Sequence, residues 1–166
     1  VHTGLKVNMN LIPAPVNTGI VFKRIDLKNN NIVIPNYRNV VDATLCTTIS
    51  NDNGVKASTI EHLMGAFYGL GIDNVIVELD SQEVPILDGS AKKFVELLID
   101  TGFRYFEEPI KLIKVNSKVE FNDGLKSISI EKSNVSADID FEIKYNNPVI
   151  KTQRNKVSIF EDDLKN

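Results

Sequence analysis

The stretch from Lys56 to Gly71, KASTIEHLMGAFYGLG, constrains the fold most, because its apolar residues follow the spacing of a short helix. Ser58, with Glu61 three residues later, is typical of a capping box, and two glycines near the end of the stretch would stop the helix. One helical face would carry four apolar residues: Ile60, Leu63, Met64 and Phe67. The sequence therefore predicts a short helix with Glu61 and His62 at its start.

Strands surround this helix, and one further helix follows it. Segments with the alternation or β-branched content of strands are Leu5–Leu11, Ile20–Phe22, Ile32–Ile34, Val40–Ile49 and Val75–Leu79. Ser90 would cap the second helix and Gly102 would end it. The apolar face of that helix would consist of Ala91, Phe94, Val95, Leu97 and Leu98. A few strands, a helix, a strand and another helix predict an α+β fold.

The pattern changes after a charged seam at residues 103–109, and strands dominate from there on. The predicted strands are Ile110–Val115, Lys118–Phe121, Ser127–Glu131 and Asp138–Tyr145. Residues 157–164 could begin a helix, but without a complete helix layer one face of the sheet would stay uncovered. We therefore expect an N-terminal α+β domain over residues 1–106 and the strand-rich start of a second, incomplete α+β domain over residues 107–166.

Composition excludes several classes of protein. The 166 residues carry a net charge of −3 and no basic stripe, so nucleic acid is not an expected partner. No apolar run reaches the length of a membrane span. A single cysteine, Cys46, rules out an internal disulfide framework. These features together favour a cytoplasmic protein.

Glu61 and His62 are the adjacent side chains most able to carry chemistry, and each has two interpretations. Glu61 either bonds back to the helix cap or acts as a general base. His62 is either a surface residue or a metal ligand; Gly65 and Ala66, one turn further on, would leave space beside its ring. A non-catalytic α+β binding module, with Glu61 as a cap and His62 on the surface, is therefore the alternative to an enzyme.

The number of possible ligands limits any metal site. Catalytic zinc takes about three protein ligands, whereas the chain contains only two histidines, His2 and His62, and Cys46. Cys46 fits a small buried hydrophobe better than a nucleophile, because no basic residue adjoins it. Carboxylates are further possible ligands. If His62 binds a metal, its fellow ligands can lie outside this sequence.

Five motifs in register resemble one enzyme family. They are VHTG at the start, PAPVNTGIVFKR, ATLCTT, STIEHLMGAFYGLGIDN and EVPILDGSAKKFVELL. Over residues 1–102 they closely resemble the zinc-dependent UDP-3-O-acyl-N-acetylglucosamine deacetylases of lipid A biosynthesis, and YNNPVI is more loosely similar to a segment of that family's second domain. The resemblance implies two related domains, each a sheet with helices packed on one face, and an active site between them.

The resemblance also implies roles for individual residues. Glu61 corresponds to the family's general base and His62 to a zinc ligand, whereas the other ligands belong to a C-terminal domain that is missing here. Leu45 and Cys46 correspond to the wall of the substrate pocket, Thr59 precedes the catalytic pair, and His2 corresponds to a motif histidine near the family's N-terminus.

The implied reaction removes the N-acetyl group from a UDP-linked, 3-O-acylated glucosamine on the route to lipopolysaccharide in Gram-negative bacteria. The cofactor would be zinc, and the partners would be this nucleotide sugar and the missing C-terminal domain. Residues 1–166 alone would then be inactive and would bind zinc weakly or not at all.

Overall fold

The structure, a computed structural model, describes residues 1–133 and 137–159. The chain divides into two compact units, Val1–Glu108 and a second that begins at Pro109. In the described part of the first unit the elements are β1 (Met9–Pro13), β2 (Ile20–Arg24), β3 (Ile32–Val33), β4 (Val40–Asp42), β5 (Thr48–Ser50), β6 (Lys56–Ser58), α1 (Glu61–Leu70), β7 (Val75–Leu79) and α2 (Lys92–Thr101). Those of the second unit are β8 (Val119–Asp123), β9 (Lys126–Ile130), β10 (Asp138–Lys144) and β11 (Thr152–Ser158).

Two sheets form the first unit. The larger sheet has the order β1-β7-β2-β3, in which β7 is antiparallel to β1 and parallel to β2. The smaller sheet has the order β4-β5-β6 and is antiparallel throughout. The alternation predicted for β7 is present, because Val75, Val77 and Leu79 are buried and the two residues between them are half-buried. This alternation directs one side of the larger sheet into the core.

The core lies where the two helices meet the strands. Leu63 and Phe67 of α1 and Phe94 of α2 belong to one buried cluster with Phe22 and Val77 of the larger sheet. Burial of each such side chain is worth about 1.5–3 kcal/mol. The predicted apolar face of α1 is confirmed for Leu63 and Phe67. The polar residues at the start of α1 lie on the side of the helix that faces away from this cluster.

The helix α1 has Glu61 and His62 at its start and ends near Gly71, as predicted, but the predicted cap at its start is absent. Gly71 adopts the left-handed conformation (φ 65°), and the N–H of Ile72 donates to the Phe67 carbonyl at 2.8 Å. The first helical residue is Glu61, and its N-cap, Ile60, makes no side-chain cap bond. The capping box predicted for Ser58 is therefore wrong: Ser58 ends β6 and its hydroxyl donates to the Gln82 carbonyl at 3.2 Å.

The second helix is confirmed with two changes, one at its cap and one on its buried face. The N-cap is Ala91 and makes no side-chain cap bond, so the cap predicted for Ser90 is wrong; the Ser90 hydroxyl accepts the N–H of Lys92 at 3.1 Å from one residue before the cap. Gly102 ends the helix, as predicted. Phe94 and Val95 are buried, but Leu97 is 59% exposed, so its predicted place on the core face is wrong. Leu97 lies about 160° around the helix from Val95, which turns it away from the core.

The second unit consists of two described hairpins, β8–β9 and β10–β11. The strand predicted over residues 110–115 is wrong, because this segment pairs with no other segment among the described residues. Of the helix suggested over residues 157–164, Val157 and Ser158 belong to β11, and residues 160–164 lie outside the described residues. Apolar side chains are exposed on the first hairpin: Val119, Phe121, Ile128 and Ile130.

Mixed sheets with two helices confirm the predicted α+β class. No helix in residues 1–133 or 137–159 is both long and apolar enough to cross a membrane.

Candidate active site

Glu61 and His62 open α1, and a loop residue binds the carboxylate. The Thr47 backbone N–H donates to Glu61 Oε2 at 3.0 Å, and the N–H of Ile60 reaches the Thr47 carbonyl at 3.5 Å. Since α1 has no side-chain cap, Glu61 joins the helix to a loop instead of closing the helix end. The interpretation of Glu61 as a helix cap is therefore wrong.

His62 is half-buried and keeps part of its surface exposed, so its two interpretations, surface residue and metal ligand, both stay predictions. Gly65, one turn further along α1, is exposed, and a Cβ added to it would meet no atom within 4 Å. This open space confirms the room predicted beside the histidine on its Gly65 side. Ala66, by contrast, is buried in the core. The His62 imidazole therefore has open space on its Gly65 side, from which a metal ion or substrate can reach it.

The loop between β4 and β5 carries two of the predicted substrate-binding residues directly before Thr47, which is bonded to Glu61. Leu45 is 81% exposed, and Cys46 is half-buried with its Sγ 3.7 Å from Thr48 Oγ1. The loop bends at Asp42, whose Oδ1 accepts the N–H of Thr44 at 2.9 Å. Because Thr47 is bonded to Glu61, the loop presents an apolar side chain and a thiol next to the residue that contacts the carboxylate.

Thr59 precedes the pair and has a strained backbone. Its φ is 57°, a conformation that β-branched residues rarely adopt, and such outliers cost about 1–3 kcal/mol. The residue is buried, and its hydroxyl donates to Glu83 Oε1 at 3.2 Å. The strained residue Thr59 therefore also makes a specific side-chain hydrogen bond, to Glu83.

Glu83 is a site residue that the sequence analysis missed. It is only 3% exposed, and besides the Thr59 hydroxyl it accepts the backbone N–H groups of His2 and Thr3, both at 2.9 Å. The Thr3 hydroxyl at 2.7 Å and the Val1 nitrogen at 3.1 Å complete the set of donors. Burial favours the neutral acid, but the donors from His2 and Thr3 outweigh it and hold the pKa of Glu83 well below its usual range.

His2 contributes its backbone N–H to that cluster, and the residue itself is exposed. The only sequence signal for Glu83 was its position at the start of the EVPILDG motif, next to Val84, which is also buried. The structure thus joins the first motif, VHTG, to the EVPILDG motif at Glu83, whose carboxylate accepts the hydroxyl of Thr59, two residues before Glu61.

A zinc ion would need more ligands than these residues provide. Among residues 1–133 and 137–159, no group of three or more His, Cys, Asp or Glu side chains is placed to hold a metal ion. His62 offers one nitrogen, and zinc takes about three protein ligands. The described residues therefore do not fit a complete zinc site by themselves.

An α+β unit that places a carboxylate beside an imidazole at the start of a helix has side chains of the kinds that metal-dependent hydrolases use. A family model described as UDP-3-O-acyl N-acetylglycosamine deacetylase (LpxC) matches residues 1–166, which is the entire sequence. The chain belongs to this deacetylase family.

Individual relatives carry the corresponding name. The chain is 47% identical over 150 residues to the UDP-3-O-acyl-N-acetylglucosamine deacetylase of Actinobacillus succinogenes, covering 90% of this chain and 48% of that relative. It is 43% identical over 149 residues to the enzyme of the same name from Haemophilus ducreyi, covering 90% and 49%. The match to the Pseudoalteromonas atlantica enzyme is 44% over 153 residues, covering 92% and 50%. The chain spans about half the length of the curated relatives it matches.

Proposed function

We propose that the whole protein containing this sequence is a deacetylase that hydrolyses the N-acetyl group of a UDP-linked, 3-O-acylated glucosamine. The bond between the Thr47 N–H and Glu61 Oε2 is the main structural support, because it leaves the carboxylate beside His62 and away from a capping role. The family match supplies the substrate class. The rival binding module loses one of its supports, the capping role of Glu61.

Glu61 is the proposed general base. Its carboxylate takes a proton from the water that attacks the amide carbon, and the Thr47 N–H holds the carboxylate in one orientation while it does so. Only one of its oxygens is bonded in this way, so the other can face the water. The C–N bond then breaks as an acid of the whole protein gives a proton to the sugar nitrogen, so that acetate and a free amine leave. General-base catalysis of this kind contributes about 10²–10⁴-fold to a rate.

His62 is the proposed zinc ligand of this half of the protein. The remaining ligands would come from residues outside this sequence, in a C-terminal domain, because the described residues contribute too few. Bound zinc would supply Lewis-acid chemistry to the amide carbonyl. We propose residues 1–106 as the N-terminal domain and residues 107–166 as the beginning of the second.

Four further residues are proposed to contact or position the substrate. Leu45 and Cys46 would line the pocket, with the exposed Leu45 offering an apolar surface to the acylated sugar. Thr59 and His2 lie on the segments joined by Glu83. The reaction would belong to lipid A biosynthesis in the cytoplasm of a Gram-negative bacterium, and the sugar nucleotide would be the partner rather than nucleic acid.

The chain as given should be inactive. With His62 as the only proposed ligand, residues 1–166 should retain little zinc after dialysis, whereas the whole protein should retain about one equivalent. Elemental analysis of both proteins distinguishes these outcomes. Tight, stoichiometric zinc in residues 1–166 would contradict the proposed division of the site.

The proposed activity is tested directly with the whole protein and UDP-3-O-acyl-N-acetylglucosamine. Release of acetate together with a free amine on the sugar is the expected result. Binding of the nucleotide sugar without release of acetate, at any zinc loading, would instead support a binding module.

A further inference from the structure

Glu83 is a buried carboxylate with no part in the proposed chemistry, and it is connected to the catalytic pair by a short series of bonds. It is 3% exposed, yet it is surrounded by donors from two distant segments. One segment, residues 1–3, supplies backbone and hydroxyl donors, and the other supplies the Thr59 hydroxyl. A carboxylate satisfied in this way is costly to disturb, because loss of one partner leaves a buried charge or donor unpaired.

The backbone around Glu83 is joined to β6 just before the pair. Ser58 and Glu83 form a parallel bridge, in which the Ser58 N–H donates to the Gln82 carbonyl at 2.8 Å and the Val84 N–H donates to the Ser58 carbonyl at 3.0 Å. The Glu83 side chain therefore projects next to Thr59 from a fixed backbone. Its bond to the Thr59 hydroxyl lies two residues before Glu61.

Thr59 is the point where the chain turns from β6 into α1. Its φ of 57° sets the direction in which the helix leaves the strand. Threonine adopts this conformation rarely, so the surrounding structure must hold it there. The hydroxyl bond to Glu83 restrains this residue, and so the direction of the helix that carries Glu61 and His62.

We propose that Glu83 is a positioning residue for the deacetylation reaction: through Thr59 it fixes the start of α1, and through His2 and Thr3 it fixes the N-terminal segment against the same site. This inference rests on the proposed function of Glu61 and His62. Glu83 itself contacts neither substrate nor metal in this account.

The test uses the zinc-loaded whole protein with four single variants. Thr59→Val removes the hydroxyl but keeps the shape of the side chain, and Thr59→Ser keeps the hydroxyl. Glu83→Gln keeps the size but replaces one acceptor oxygen with a donor group. Ser58→Ala is the matched control, because it removes a neighbouring buried hydroxyl whose bond is also 3.2 Å long but leads to Gln82.

Thr59→Val should lower kcat by about 10²-fold with little change in KM, since small misplacement of reacting groups costs a factor of this size. In both Thr59→Ser and Ser58→Ala, kcat should stay near the wild-type value. Glu83→Gln should lower kcat and also raise KM, because it releases the His2 segment. The double variant Glu83→Gln/Thr59→Val should lose no more kcat than Glu83→Gln alone.

Amide hydrogen exchange provides a measurement independent of turnover. Exchange at Met64, whose N–H donates to the Ile60 carbonyl at 2.9 Å in the first turn of α1, should be faster in Thr59→Val and Glu83→Gln than in Ser58→Ala, at equal zinc content. Wild-type kcat and exchange in Thr59→Val would overturn the inference, as would an equal loss of kcat in Ser58→Ala. If Glu83→Gln fails to fold, the comparison of Thr59→Val with Thr59→Ser decides. Failure of the proposed function has a different signature, namely no acetate release by the wild-type protein.

Discussion

The Thr47 backbone N–H and the Glu61 carboxylate are bonded at 3.0 Å across 14 residues of sequence. This bond connects the loop that carries Leu45 and Cys46 to the first residue of α1. It gives Glu61 a fixed orientation without using the helix cap, and the exposed Leu45 lies two residues before the Thr47 donor.

His62→Ala in the whole protein should abolish tight zinc binding with little loss of folded structure, because the side chain is half-buried and outside the core cluster. Elemental analysis and circular dichroism measure the two effects. Tyr68→Ala is the control on the same helix. Tyr68 is largely exposed, so the Tyr68→Ala protein should keep its zinc. One equivalent of zinc in purified His62→Ala would remove His62 from the ligand set.

Leu45→Ser should raise KM for the acylated nucleotide sugar while the free energy of unfolding stays within about 0.5 kcal/mol of wild type, because Leu45 is exposed. Leu97→Ser, on the solvent side of α2, is a matched exposed leucine and should change neither quantity. Steady-state kinetics and urea unfolding provide both measurements. Equal KM values in Leu45→Ser and Leu97→Ser would show that Leu45 takes no part in substrate binding.

Acidification should reveal the contribution of Glu83 to stability. Its hydrogen bonds hold its pKa in the fold well below the ordinary value of 4.5, despite burial, which acts in the opposite direction. A depressed pKa contributes stability that is complete above the unfolded value and is lost as the pH falls below it. The free energy of unfolding should therefore fall between about pH 5 and pH 3 more steeply in wild type than in Glu83→Gln. Parallel curves from urea unfolding would contradict this prediction.

Local sequence patterns predicted those elements whose signals are themselves local. The spacing of Leu63 and Phe67 located α1, and Gly71 located its end, because helix periodicity and a left-handed C-cap involve residues within two turns. Alternation located β7 for the same reason. The wrong predictions concern residues whose structure depends on a partner that is distant in the sequence. Ser58 resembled a cap but pairs with the segment around Glu83, and residues 110–115 alternate but have no partner strand in the described chain.

The residues of the candidate site divide in the same way, into those that local sequence reveals and those that depend on distant partners. Glu61 and His62 are neighbours in sequence, so no fold was needed to bring them together, and the surrounding motifs indicated their chemistry. Glu83 could not be recognised, because its donors on Thr3 lie 80 residues away and those on Thr59 lie 24 residues away. Nor could the capping role of Glu61 be excluded without Thr47, whose bond to the carboxylate depends on the packing of the β4–β5 loop.

The most direct test of the account is the turnover of Glu61→Gln in the zinc-loaded whole protein. Glutamine keeps an oxygen that can accept the Thr47 N–H, so the loop should stay in place, but it cannot take a proton from water. We predict that kcat falls by about 10²–10⁴-fold while the zinc content remains at the wild-type level. Near wild-type turnover in this variant would contradict the assignment of Glu61 as the general base.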